Sequence, residues 1–344
     1  MRPIPRLKQL LARSWRPLSL ALGIAVFAYL LHRVGLGTIV GSLGRIGPAF
    51  LLMPAASLAG LCVRALAILP LMEPGSRLGI GAAVASRLAA SALNLTIPAL
   101  GIGGEAARLL WVAPENRQRA VPAIILDNAL LILADLVFLL LAIAVAVFWL
   151  ALPRRLEWLA LAVALATVLL ALGLVWLTAR AGVSVPFVQV LRKVGFKSMA
   201  GKVPDAQAVD EALRGLWRDR PICVLQATAI QFASRLFLAA EIRIGLRLLH
   251  VPASPAEALI VSAAPIAANA LFTFIPSQLG VQEGSLGVFF GLVGLDPQSG
   301  LVLGLVQRVG QLIQIPVGLV ALALAPRRPR NRPLGARRPA RDFS

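Results

Sequence analysis

Apolar residues run through this chain in long blocks, without the one-faced stripes of a soluble domain. A helix needs about 20 apolar residues to cross a bilayer. Blocks at 17–31, 48–72, 119–150, 156–179, 221–249 and 299–325 approach or exceed that length. Two further apolar runs, 78–112 and 255–295, are interrupted by Pro and Gly, and each has room for two short helices and a turn. The pattern predicts an all-α polytopic membrane protein with six full spans and two broken, re-entrant hairpins.

The breaks carry polar residues. The first run contains NLTIPALGIGGEAARLL, residues 94–110, and the second contains NALFTFIPSQLGVQEGSLGVFF, residues 269–290. Both give Asn, Pro, Gly and Glu in that order, and Pro98 stands seven residues before Glu105 as Pro276 does before Glu283. Pro204 and Glu211 share that spacing by chance, so the weight lies on the order and on the corresponding places in two halves. Discontinuous segments in matching positions are the mark of an inverted-repeat transporter.

Charge then orients the chain. The first 17 residues carry five basic and no acidic residues, and the tail from Pro326 carries seven Arg and one Asp. The loop 180–220 has eight basic residues against four acidic ones. By the positive-inside rule all three lie in the cytoplasm. The count of crossings closes if each hairpin enters and leaves on one side, or crosses twice; it also leaves Arg154 and Arg155 outside. The expected organisation is a basic N-terminus (1–16), a first membrane half (17–179) and a cytoplasmic loop (180–220), then a second membrane half (221–325) and a basic disordered tail (326–344). Within the loop, the apolar residues of 209–217 share one helical face, which suits a helix on the membrane surface or one packed on another loop.

Composition narrows the function. The 344 residues are 58% hydrophobic and only 14% charged, with a net charge of +19. A soluble domain has about a quarter charged residues. The positive charge lies mainly at the ends and in one loop, so anionic lipid is its natural partner and nucleic acid is not. Cys62 and Cys223 lie in apolar runs, and two His residues offer no ligand cluster. No metal, cofactor or catalytic nucleophile–base pair is expected, and the chain reads as a non-enzyme.

Ionisable residues inside apolar runs are costly and mark function by default. They are Arg64, Arg87, Glu105, Arg108, Asp127, Asp135, Arg235, Glu241, Arg243, Glu283 and Arg308. Asp127 and Asp135 are eight apart on one helix and share a face with Asn128 between them. Three roles fit them: an ion pair to Arg64 or Arg87, a proton- or cation-coupling site, or a cavity lining. Gln307, Gln311 and Gln314 form a stripe beside Arg308, which suits helix–helix hydrogen bonding or a polar groove. In the first hairpin, the free N–H groups of a broken helix suit anions. Glu105 would sit in that helix's first turn with Arg108 in reach of it, as a local ion pair or as a bidentate phosphate donor.

At these residues the chain resembles the flippase-like transmembrane domain of the lysylphosphatidylglycerol synthases, as a stand-alone relative without the synthase domain. Gly104, Glu105 and Arg108 form its Gly-Glu-x-x-Arg pattern. Pro276, Leu279, Gly280, Val281 and Glu283 form its second pattern, with Gln282 where relatives often have Arg. The resemblance implies two inverted repeats and lipid translocation, with aminoacylated phospholipids, polyprenyl-linked sugars or hopanoids as cargo. It does not imply lysine transfer.

The expectation is a lipid translocase of a bacterial-type inner membrane. Its path runs past Asn94, Pro98, Gly104, Glu105, Arg108, Asn269, Pro276, Gly280 and Glu283, with Arg87, Asp127, Asp135, Arg235, Gln307, Arg308 and Gln311 along it. Its partners are membrane lipids with anionic or polar headgroups. Two alternatives remain: a non-transporting scaffold for a lipid or envelope biosynthesis enzyme, with its buried charges paired, and a proton-coupled exporter of a small solute using Asp127 and Asp135.

Overall fold

Side chains that are apolar on every face make helices that only lipid or protein can cover. The computed structural model describes residues 46–76, 78–96, 102–150, 153–182, 203–272 and 280–326, with single positions 37, 41, 44, 184, 275 and 278. The expected N-terminus, the run 17–31, Pro98, Pro276 and the tail beyond Pro326 lie outside them. Among the described residues there is no strand. The first half contains α1 (Leu52–Leu66), α2 (Ile80–Thr96), the short α3 (Ile102–Ala107), α4 (Arg117–Trp149) and α5 (Arg154–Trp176). Helix α6 (Val203–Asp219) leads into the second half. There follow α7 (Pro221–Leu248), α8 (Pro255–Ser262), α9 (Ala264–Phe272), α10 (Val281–Leu292) and α11 (Pro297–Ala323).

Among the described residues, six helical segments are long and apolar enough to cross a membrane. They are Gly47–Leu71, Pro114–Trp149, Arg154–Ala181, Pro221–Leu248, Pro255–Phe272 and Pro297–Ala323. The chain is an all-α polytopic membrane protein. Helix α5 shows the solvent it is built for: Trp158 is 72% exposed, and Leu165 and Leu172 are 61% and 62% exposed. Such a band of large apolar side chains is stable only in lipid or against another protein.

Five of these segments coincide with expected spans. The sixth, Pro255–Phe272, differs from expectation. It is the first leg of the second hairpin, and its 18 residues are enough to cross. A capping box starts it, with Ser254 and Glu257 exchanging side-chain and backbone hydrogen bonds. The second leg, α10, has 12 residues; at 1.5 Å per residue it rises about 18 Å, short of the ~30 Å hydrocarbon core.

Small residues set the helix crossings. A Cβ on Gly60 of α1 would lie 2.8 Å from Cβ of Phe237 on α7, and one on Gly318 of α11 would lie 2.3 Å from the Leu88 carbonyl of α2. Close backbone approach of this kind holds helices together in lipid, where the hydrophobic effect between them is lost. The pairing is reciprocal. Helix α2 of the first hairpin lies along α11, and α8 and α9 of the second hairpin lie along α4. Each hairpin's leading leg therefore seats on a long helix of the other half.

Of the two places open to it, membrane surface or protein, the apolar face of helix α6 packs on protein. Leu213 and Leu216 are buried with Ile68, Leu71 and Met72, and Val209 and Trp217 pack on the same cluster. The face is covered by the protein, so little of it remains for lipid. Arg243 donates to the Ala253 carbonyl and ties the end of α7 to the following loop.

Candidate functional site

The first hairpin folds back because α2 ends at Thr96 and α3 starts at Ile102. Asn94 fastens the two legs: its Oδ1 accepts from the Gly104 amide at 3.0 Å. Only glycine fits there. A Cβ on Gly104 would lie 2.2 Å from the Ala90 carbonyl oxygen. The contact carries Glu105 and Arg108 inward against α2 and α4.

There they meet Arg87 of α2 and Asp127 of α4. Asp127 Oδ2 accepts from Arg87 and, at 2.8 Å, from Nη1 of Arg108. Arg87 Nη1 donates to Glu105 Oε1 at 3.1 Å, and Arg108 Nη1 donates to Glu105 Oε2 at 3.0 Å. Two arginines thus share two carboxylates. Asp127 is fully buried, and Arg87 and Arg108 are each 1% exposed. From α7, Gln231 Nε2 donates to Asp127 Oδ1 at 2.6 Å and to its backbone carbonyl at 3.2 Å. Gln231 stands ten residues into α7, about 15 Å along the helix and so near the middle of the apolar layer.

A second pair extends the network along the same two helices. Arg235 Nε lies 2.5 Å from Asp135 Oδ1. Arg64 of α1 stands within electrostatic reach of Arg87, Arg235, Glu105 and Asp127. Of the roles open to the two aspartates, ion pairing is the one observed. Asp127 takes Arg87 and Arg108, while Asp135 takes Arg235.

The second hairpin builds a smaller counterpart. Gly280 begins α10 with φ of +77°, a left-handed conformation that favours glycine. The turn places Glu283, 1% exposed, against α11. Arg308 Nε donates to Glu283 Oε1 at 2.7 Å, and its Nη1 donates to Gln311 Oε1 at 2.8 Å. Gln311 in turn donates to Gln282 at 3.3 Å. Asn269, near the end of α9, accepts from Nε2 of Gln278, which precedes α10. In both halves, then, an Asn hydrogen-bonds across the break and a Glu meets arginine.

The glutamine stripe of α11 is divided. Gln311 belongs to the Arg308 cluster. Gln307 instead hydrogen-bonds Glu241 of α7, together with Ser57 of α1. Sequence reasoning named Gln307 and Glu241 but missed Gln231, Ser57 and the contact of Glu241 with Gln307. Gln231 and Arg235 are four apart and so share one face of an apolar helix, a signal available in the sequence.

A polytopic bundle whose broken helices bury paired arginines and carboxylates is a membrane protein with a polar interior. Its sequence matches the family model described as the lysylphosphatidylglycerol synthase TM region over residues 17–318. The chain belongs to that family. No curated protein and no solved structure matches it.

Proposed function

We propose that the protein is a lipid translocase that moves a polar-headed lipid between leaflets of a bacterial-type inner membrane, with both termini in the cytoplasm. The observation that carries this is the first-half network: charged side chains near mid-bilayer depth, held on a hairpin and on the helices around it. Charges at that depth are costly and recur where polar cargo passes. The headgroup would travel past Glu105, Arg108, Arg87 and Asp127, then Glu283 and Arg308, while its tails stay in lipid. The reciprocal packing of each hairpin on the other half supports an inverted repeat. The family's name, which concerns a lipid-modifying synthase, supports lipid as cargo. The chain's own role is transport, not catalysis.

The test is a headgroup-accessibility assay in vesicles with fluorescent phosphatidylglycerol. The wild type should speed exchange between leaflets, and Arg108→Ala and Glu283→Ala should each slow it at least tenfold while eluting as folded protein. Exchange no faster than in protein-free vesicles would sink the proposal.

A scaffold role has one observation in its favour: Glu105, Asp127, Asp135 and Glu283 each have an arginine partner. Against the exporter reading stands Asp127, which is fully buried and bound by two arginines.

A further inference from the structure

The first-half network has more donors than acceptors. Among the described residues, Nε of Arg64, Nε of Arg87, and both Nε and Nη2 of Arg108 are buried with no hydrogen-bond partner. Buried polar groups are ordinarily satisfied, and each exception asks for an explanation such as a bound ion. Arg64 forms no ion pair among the described residues. The charges are unequal too. Arg64, Arg87, Arg108 and Arg235 are electrostatically linked to Glu105, Asp127 and Asp135. Four arginines against three carboxylates leave one positive charge in excess.

We propose that this network is an anion site that takes the phosphodiester of a lipid headgroup, with Arg64, Arg87 and Arg108 as its donors. The inference rests on the transport reading and names its cargo class. A phosphodiester carries one negative charge, which cancels the excess. Its two free oxygens each accept more than one hydrogen bond, and arginine matches them in a planar, two-pronged geometry. The same network disfavours a cationic headgroup. Glu105, Asp127 and Asp135 are all engaged by arginines, so the one acceptor left unmatched beside them among the described residues is the neutral amide oxygen of Gln231. The site therefore selects an anionic lipid over an aminoacylated one.

Binding to the full-length protein in neutral detergent tests this without any transport step. The probes are dioctanoyl phosphatidylglycerol, its lysyl ester, dioctanoylglycerol and inorganic phosphate, followed by thermal shift and native mass spectrometry. Phosphatidylglycerol should bind at least tenfold more tightly than the lysyl ester or dioctanoylglycerol. Arg64→Gln, which breaks no ion pair, should weaken that binding at least tenfold, and Arg64→Lys should weaken it less. Unchanged binding by Arg64→Gln, or a preference for the lysyl ester or dioctanoylglycerol, would overturn the site. Inorganic phosphate binding as tightly as the lipid would overturn the lipid as ligand. Arg64-dependent binding with no exchange in vesicles would leave the site standing and remove the transport reading. Exchange with no Arg64-dependent binding would do the reverse.

Discussion

Asp127 is the residue on which the first-half network turns. It joins α2, the segment after α3, α4 and α7 through one side chain, because Oδ2 accepts from Arg87 and Arg108 and Oδ1 accepts from Gln231. Removing one partner of a buried ion pair leaves the other charge uncompensated, at a cost of roughly 3–5 kcal/mol. Asp127→Asn leaves two guanidiniums to share Glu105 alone, so it should lower stability by about that much in denaturation measured in detergent. Glu241→Gln is the control. Its hydrogen-bond partners, Gln307 and Ser57, are neutral, so an amide replaces the carboxyl without orphaning a cation. The first variant should be much the less stable of the two. Equal losses would show that pairing with arginine is not what sets the cost.

At the scale of the element, hairpins and caps decide where helices stop and start. The first hairpin is closed by an Asn carbonyl and a glycine that admits it, and the second by an Asn and a left-handed glycine. Helix α11 begins at Asp296, whose carboxylate accepts from the amides of Gln298 and Ser299 and from the Ser299 hydroxyl. The Ser299 hydroxyl and amide hold that carboxyl below the usual aspartate range. A lowered carboxyl contributes stability that is complete above its unfolded pKa and is lost as pH falls through the folded value. Asp296→Ala should cost about 1 kcal/mol at neutral pH, as loss of a helix N-cap does. The difference from wild type should shrink in acid. A gap that stays constant from neutral to strongly acidic pH would argue against the cap.

At the scale of the molecule, the two halves are interlocked. Helix α1 runs along α7 through Gly60, α2 runs along α11 through Gly318, and α8 and α9 answer on α4. Each half leaves one long apolar face that only the other covers. Fragments 1–190 and 191–344, expressed together, should therefore copurify as one complex and keep the wild-type elution volume in detergent. Expressed alone, either should aggregate. Halves that purify separately as monodisperse proteins would refute the interlock.

Much of this was legible in the chain. Apolar blocks fix spans because each block must satisfy its backbone as a helix in lipid. Pro, Gly and Asn mark the breaks, and an Arg or Glu among Leu and Ala is conspicuous at once. The depth of the second hairpin was left open by the count of crossings, and the capping box starts α8, which with α9 reaches span length. The destination of the apolar face of α6 was also hidden, since periodicity shows that a face will be covered and not by what. Partnership was hidden for the same reason. Asp127 and Asp135 share a face of α4, yet one meets Arg87 and Arg108 and the other Arg235, because helix crossings set by Gly60, Gly104 and Gly318 place those arginines. Which charges lie in the membrane is a property of the sequence alone. Which of them meet, and which donors stay unmatched, depends on contacts between residues far apart in the chain, and only the tertiary structure decides that.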